Sequence, residues 1–111
     1  MILEVRFYAT SNGVEPVRDW LRGLVPESRK IIGDDIKTVQ FGWPLGMPLV
    51  RNMSGGLWEV RSNLPSGIAR VLFMTHGPRM VLLHGFVKKT RGTPNQDLAL
   101  ARTRMKEVQR G

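Results

Sequence analysis

Polar and apolar positions alternate near the N-terminus, adopt helical spacing through the rest of the first half, and alternate again after about residue 56. The opening "ILEVRFYA" is β-branched and aromatic and predicts a first strand. In "GVEPVRDWLRGL", Pro16 suits a helix start, and Val17, Leu21 and Leu24 share one helical face with Trp20 beside them. A longer helix is predicted after Pro26, where Ile32, Ile36 and Val39 form one stripe ending at Gly42, a fitting C-terminal cap with Pro44 beyond it. "WPLGMPLVRNMSGG" holds too many breakers for an element and predicts a loop, anchored by Leu49 and Met53.

Three strands are predicted next, "LWEVR", "IARVLFMT" and "RMVLLHGFVKK", separated by the turn-forming "SNLPSG" and "HGP". Hairpins follow from such short connections. The final segment predicts a helix. Thr93, Pro94 and Gln96 occupy the N-cap, N1 and N3 positions of a capping box, and Leu98, Ala101, Met105 and Val108 recur on one face. The order β-α-α-β-β-β-α predicts an α+β fold over residues 1–111, one domain with a small antiparallel sheet and helices packed on one face.

Alternation sorts the strand residues into two sets. Trp58 and Val60 share a side with Ala69, Val71 and Phe73, a wholly apolar surface for the helices to cover. Glu59, Arg61 and Arg70 then converge on the opposite, open side. In the last strand, placing Leu82 and Phe86 toward the helices turns Lys89 outward and His84 and Lys88 inward, unless a bulge at Gly85 exchanges the ends. Lys89 is therefore preferred over Lys88. One acid and several bases on one surface suit a phosphodiester: arginine forks neutralise the phosphate, and Glu59 serves either as a base or as the partner that orients an arginine. His84 in an apolar run reads as a satisfied, half-buried histidine, His76 as a turn residue, and Trp20, Trp43 and Trp58 as core.

Charge sharpens this picture. The formal net charge is +8. Residues 1–50 are balanced, six bases against six acids, whereas residues 51–111 carry eleven bases against Glu59, Asp97 and Glu107 alone. Such asymmetry points to a polyanionic partner, nucleic acid or an acidic protein. Arg51, Lys88, Arg91, Arg102 and Lys106 are further candidates for RNA binding, the last two in a stripe with Arg110 at helical spacing. The chain has no cysteine, which excludes disulfides, zinc-thiolate sites and a thiol nucleophile. Neither histidine belongs to a metal motif, and no cofactor is expected. No apolar run is long enough for a membrane span, and Glu4 and Arg6 interrupt the stretch a signal peptide would need, so a cytoplasmic protein is expected.

The pieces "GLWEVR", "ARVLF", "LLHGFVKKT" and "TPNQDLALARTRM" resemble, in that order and spacing, the phage-derived HigB-like toxins of the RelE/ParE superfamily. The similarity covers residues 2–109 and is sharpest from Leu49 to Met105. It implies the toxin of a type II toxin-antitoxin pair, an mRNA endonuclease that acts in the ribosomal A site and is silenced by a helix-turn-helix, HigA-like antitoxin. By position, the resemblance assigns Arg61, Arg70 and Lys89 to the basic residues that surround the scissile phosphate without a metal. Some relatives carry a tyrosine or histidine near the chain end as acid or base. Here the only tyrosine is Tyr8, which leaves the general base open. Other branches of the superfamily bind DNA gyrase and cleave nothing, so a gyrase inhibitor or a nucleic-acid-binding phage accessory protein stands as the alternative.

Overall fold

The computed structural model describes residues 1–111. Strand β1 (Glu4–Phe7) leads to helices α1 (Pro16–Arg22) and α2 (Pro26–Gly42), each with proline in its first turn. A short β2 (Val50–Asn52) precedes β3 (Leu57–Leu64), β4 (Gly67–His76), β5 (Arg79–Lys88) and the closing α3 (Asn95–Arg110). The five strands form one sheet in the order β1-β5-β4-β3-β2. Strands β2 to β5 pair antiparallel, whereas β1 lies parallel to β5, so the sheet is mixed rather than antiparallel throughout.

The loop predicted over residues 43–56 contains β2, a three-residue edge strand too short to show a period. Its anchors are as expected: Leu49 packs with the core beneath α1 and α2, and Met53 with the core beneath α3. Ser54, Gly55 and Gly56 all have positive φ and close the turn into β3.

The helices do not share a face. α1 and α2 cover Val60, Ala69, Val71, Phe73 and Leu82, with Trp43 set edge-on to Trp58 at 5.0 Å. α3 covers the other side, where Ala101 and Met105 meet Leu57, Leu72, Met74, Val81 and Leu83. The reason lies in β4 and β5, whose near-continuous apolar runs leave a second greasy surface that water cannot be allowed to keep. One glycine is required by this packing. A Cβ on Gly85 would stand 2.4 Å from the Trp20 ring, so the β5 backbone and α1 can approach only because position 85 has no side chain.

The β4–β5 ladder slips by one residue: Phe73 faces Leu82, but Leu72 faces His84. Leu83 is the extra residue, and it and His84 both turn toward α3. Downstream of the slip, Phe86 and Lys88 lie on the α3 side opposite Arg70 and Ile68. This corrects the expected sorting of β5: the ends are exchanged, His84 does not join Leu82, and Lys88 rather than Lys89 continues the Arg70 side.

Candidate nucleic-acid interface

On the α3 side, register stacks the residues in rows across the sheet. Arg51, Glu59, Leu72 and His84 form one; Arg61, Arg70 and Phe86 form the next; Asn63, Ile68 and Lys88 the last. The apolar character under α3 thus gives way to charge toward one end of the same strands. Arg61 and Arg70 stand directly opposite each other, a pairing of like charges that needs compensation.

That compensation comes from below and above. Glu59 accepts from Arg61 Nη1 through Oε1 at 3.1 Å and from the Thr93 hydroxyl through Oε2 at 2.6 Å. Arg70 donates one Nη to the Thr90 carbonyl and the other to the Gly92 carbonyl. Arg61 Nη2 donates to the Arg91 carbonyl at 3.2 Å. Residues 89–94, the strap between β5 and α3, are therefore held over the charged rows by four consecutive residues. The side expected to be open is covered: Glu59 and Arg70 are both 0% exposed. Burial first, then Arg61 and Arg51, push the Arg70 guanidinium's pKa down, against the opposing pull of Glu59 and Asp97. Its Nε has no partner, and the guanidinium lies over the Phe86 ring at 5.9 Å.

The capping box predicted at α3 does not form, because Thr93 gives its hydroxyl to Glu59. The helix begins at Asn95 with Pro94 as its N-cap and no side-chain cap.

What the strap shows to solvent is positive. Lys88, Lys89 and Arg91 are exposed, as is Arg51 on the β2 edge. Arg61 is 13% exposed and borders a groove of about 280 Å³ shared with Asp35, Leu49 and Asn63. Arg102 and Lys106 do not join this cluster. Arg102 lies about two helical turns along α3 and donates to the Met53 and Ser54 carbonyls, bracing the turn before β3.

A pair not singled out as functional in the sequence stands at the border of the two regions. His84 Nε2 is 2.7 Å from Asp97 Oδ1 in the first turn of α3, and the ring stacks on Phe86 at 5.5 Å. The two side chains are 17% and 20% exposed, and His84 Nδ1 has no partner in the protein. The expected half-buried, satisfied histidine is there, on one nitrogen only. At the far end of α3, Tyr8 donates its hydroxyl to Glu107, with the Arg104 guanidinium over its ring at 5.2 Å. No group of three or more His, Asp or Glu side chains is placed to hold a metal ion.

A mixed five-stranded sheet with helices on both sides and exposed cations at one end defines a small α+β protein of the kind the sequence predicts. Residues 19–106 match the family described as Phage derived protein Gp49-like (DUF891). The match covers most of the chain, which belongs to this phage-derived family, one of RelE/HigB-like toxins related to those of toxin-antitoxin systems. No curated protein matches the chain.

Proposed function

We propose that this protein is the toxin of a type II toxin-antitoxin pair and an endoribonuclease that cuts mRNA on the ribosome in the cytoplasm. The observation that carries this reading is the convergence of Arg51, Arg61, Lys88, Lys89 and Arg91 at one end of the sheet, in a chain whose entire excess charge lies beyond residue 50. Its family's relation to RelE-type endoribonucleases points the same way. A helix-turn-helix antitoxin is the proposed silencing partner.

RNA carries its own nucleophile. The 2′-hydroxyl oxygen attacks the adjacent phosphorus, the bond from phosphorus to the 5′ oxygen breaks, and a 2′,3′-cyclic phosphate remains. One proton must leave the 2′-hydroxyl and one must reach the departing oxygen. Lys88, Lys89 and Arg91 neutralise the phosphate as charge builds on it, with Arg61 adding its charge from behind the strap. Glu59 has both oxygens engaged and no exposure, so it serves as the orienter of Arg61 and not as the base. His84, steadied by Asp97 on one nitrogen and free on the other, takes the proton.

The test is induction of the wild type and of K88A/K89A/R91A in growing cells, followed by mapping of RNA 5′ ends on translated messages. Cleavage within coding regions by the wild type, lost in the variant, is expected. Growth arrest with intact mRNA and damaged DNA would instead identify a gyrase poison.

A further inference from the structure

We propose that Arg70 never touches RNA and is a positioning residue: with Glu59, Arg61 and Thr93 it forms a buried latch that holds the strap rigid, so that Lys88, Lys89 and Arg91 meet the phosphates from a fixed backbone. The proposal rests on the RNA reading above and changes the role that family resemblance gives Arg70.

Four observations lead to it. Arg70 is among the largest fully buried side chains of the protein, which an RNA phosphate cannot reach without displacing the strap. Both of its terminal nitrogens already donate to strap carbonyls, those of Thr90 and Gly92. Arg61 holds the carbonyl between them, that of Arg91, and Thr93 closes the strap onto Glu59. Finally, Glu59 bridges the two ends of the latch, accepting from Arg61 and from Thr93 with different oxygens. The strap has no helix or strand of its own. Its order comes from these side chains.

Chemistry explains why a buried cation does this work. A guanidinium offers a planar fork of donors and no acceptor, so one side chain can satisfy two carbonyls two residues apart. A lysine carries its three donors on one freely rotating nitrogen and fixes no such spacing, and an apolar residue has no donor at all. The exposed residues are left with all their own charge for the ligand. Ordering the strap before RNA arrives removes an entropic cost that would otherwise weaken binding.

The experiment compares the intact wild type with R70M, T93V, T93S and the double variant R70M/T93V. Two quantities are read: the ¹⁵N relaxation order parameters of the strap amides, residues 89–93, and affinity for a non-cleavable, 2′-deoxy-substituted single strand of about 12 nucleotides. T93V keeps the shape of threonine and leaves the buried arginine in place, so it tests the latch even if R70M folds poorly. The latch predicts strap order parameters that fall from about 0.85 to below about 0.6 in R70M and T93V, with RNA affinity lowered in both by about three- to tenfold. T93S restores both quantities. The double variant is no weaker than R70M, because one shared strap is released either way.

Three results overturn the proposal. Unchanged order parameters in both single variants remove the latch, whatever the RNA does. Wild-type affinity in T93V together with weakened binding in R70M places Arg70 on the RNA itself. Additive losses in the double variant mean that two independent contacts were removed. A wild type with no affinity for RNA sinks the parent reading instead, and the relaxation arm still decides whether the strap is latched.

Discussion

Under α3 the sheet is covered by side chains that need only contact, whereas further along the same strands it is covered by backbone that needs hydrogen bonds from beneath. Leu57, Leu72, Met74 and Leu83 meet Ala101 and Met105 in the first region. Arg61, Arg70 and Glu59 meet the carbonyls of residues 90–92 and the hydroxyl of Thr93 in the second. The first arrangement is the cheaper way to stabilise a sheet, since buried charge must be fully compensated to break even. That the second is retained at all argues that it supports something outside the fold, here a row of exposed cations.

The sharpest way to separate the two regions is at their border. His84→Gln should lower the rate of RNA cleavage by about 10²- to 10⁴-fold, the usual contribution of a positioned acid or base, with RNA affinity nearly unchanged. Single-turnover kinetics on bound RNA checks this. A loss confined to affinity would return His84 to a structural role. Next in size is Leu72→Ala in the apolar region, expected to cost about 2–5 kcal/mol of stability by denaturant titration. RNA affinity of the folded fraction should stay at the wild-type level, and a specific loss of affinity would mean the two regions are coupled.

The smallest effect concerns Tyr8, far from the strap. Its hydrogen bond to Glu107, then burial, raise the pKa of the phenol above its ordinary value of 10.0. The folded state thus holds this proton more tightly than the unfolded chain does. The stabilisation is complete below about pH 10 and is lost as pH rises through the folded-state pKa. Stability of the wild type should fall more steeply above pH 10 than that of Tyr8→Phe, measured by denaturant titration across that range; parallel curves would show that the bond contributes nothing.

Much of the fold was legible. Pro16 and Pro26 mark the starts of α1 and α2, and the Leu98, Ala101, Met105 stripe marks the buried side of α3. The side that α3 covers looks open in the sequence because the charges of Glu59, Arg61 and Arg70 mask the apolar Leu72 and Met74 that share it. A strand buried on both faces loses the alternation that would reveal its second face. The convergence of Glu59, Arg61 and Arg70 followed correctly from alternation. Their burial did not, because the group that buries them is backbone, and carbonyl oxygens leave no trace in residue identity. Thr93 shows the same limit. Thr-Pro before a helix is a sound capping signal, yet a carboxylate from β3 competes for the hydroxyl and wins. A slip in β5 is foreshadowed by Gly85, but its position at Leu83 is not: Leu82 and Leu83 are equally apolar, so nothing in the pattern says which one is the extra residue.

In the proposed division of labour, Lys88, Lys89 and Arg91 carry the RNA while the buried Arg70 carries the strap. Its most direct measurement is cleavage of a short message on programmed ribosomes by purified wild type and K88A/K89A/R91A, with stability measured in parallel. Cleavage by the wild type and its loss in the variant are expected, at a stability within about 1.5 kcal/mol of wild type, or about 0.5 kcal/mol for each exposed position. Full cleavage by a variant stripped of all three cations would contradict it.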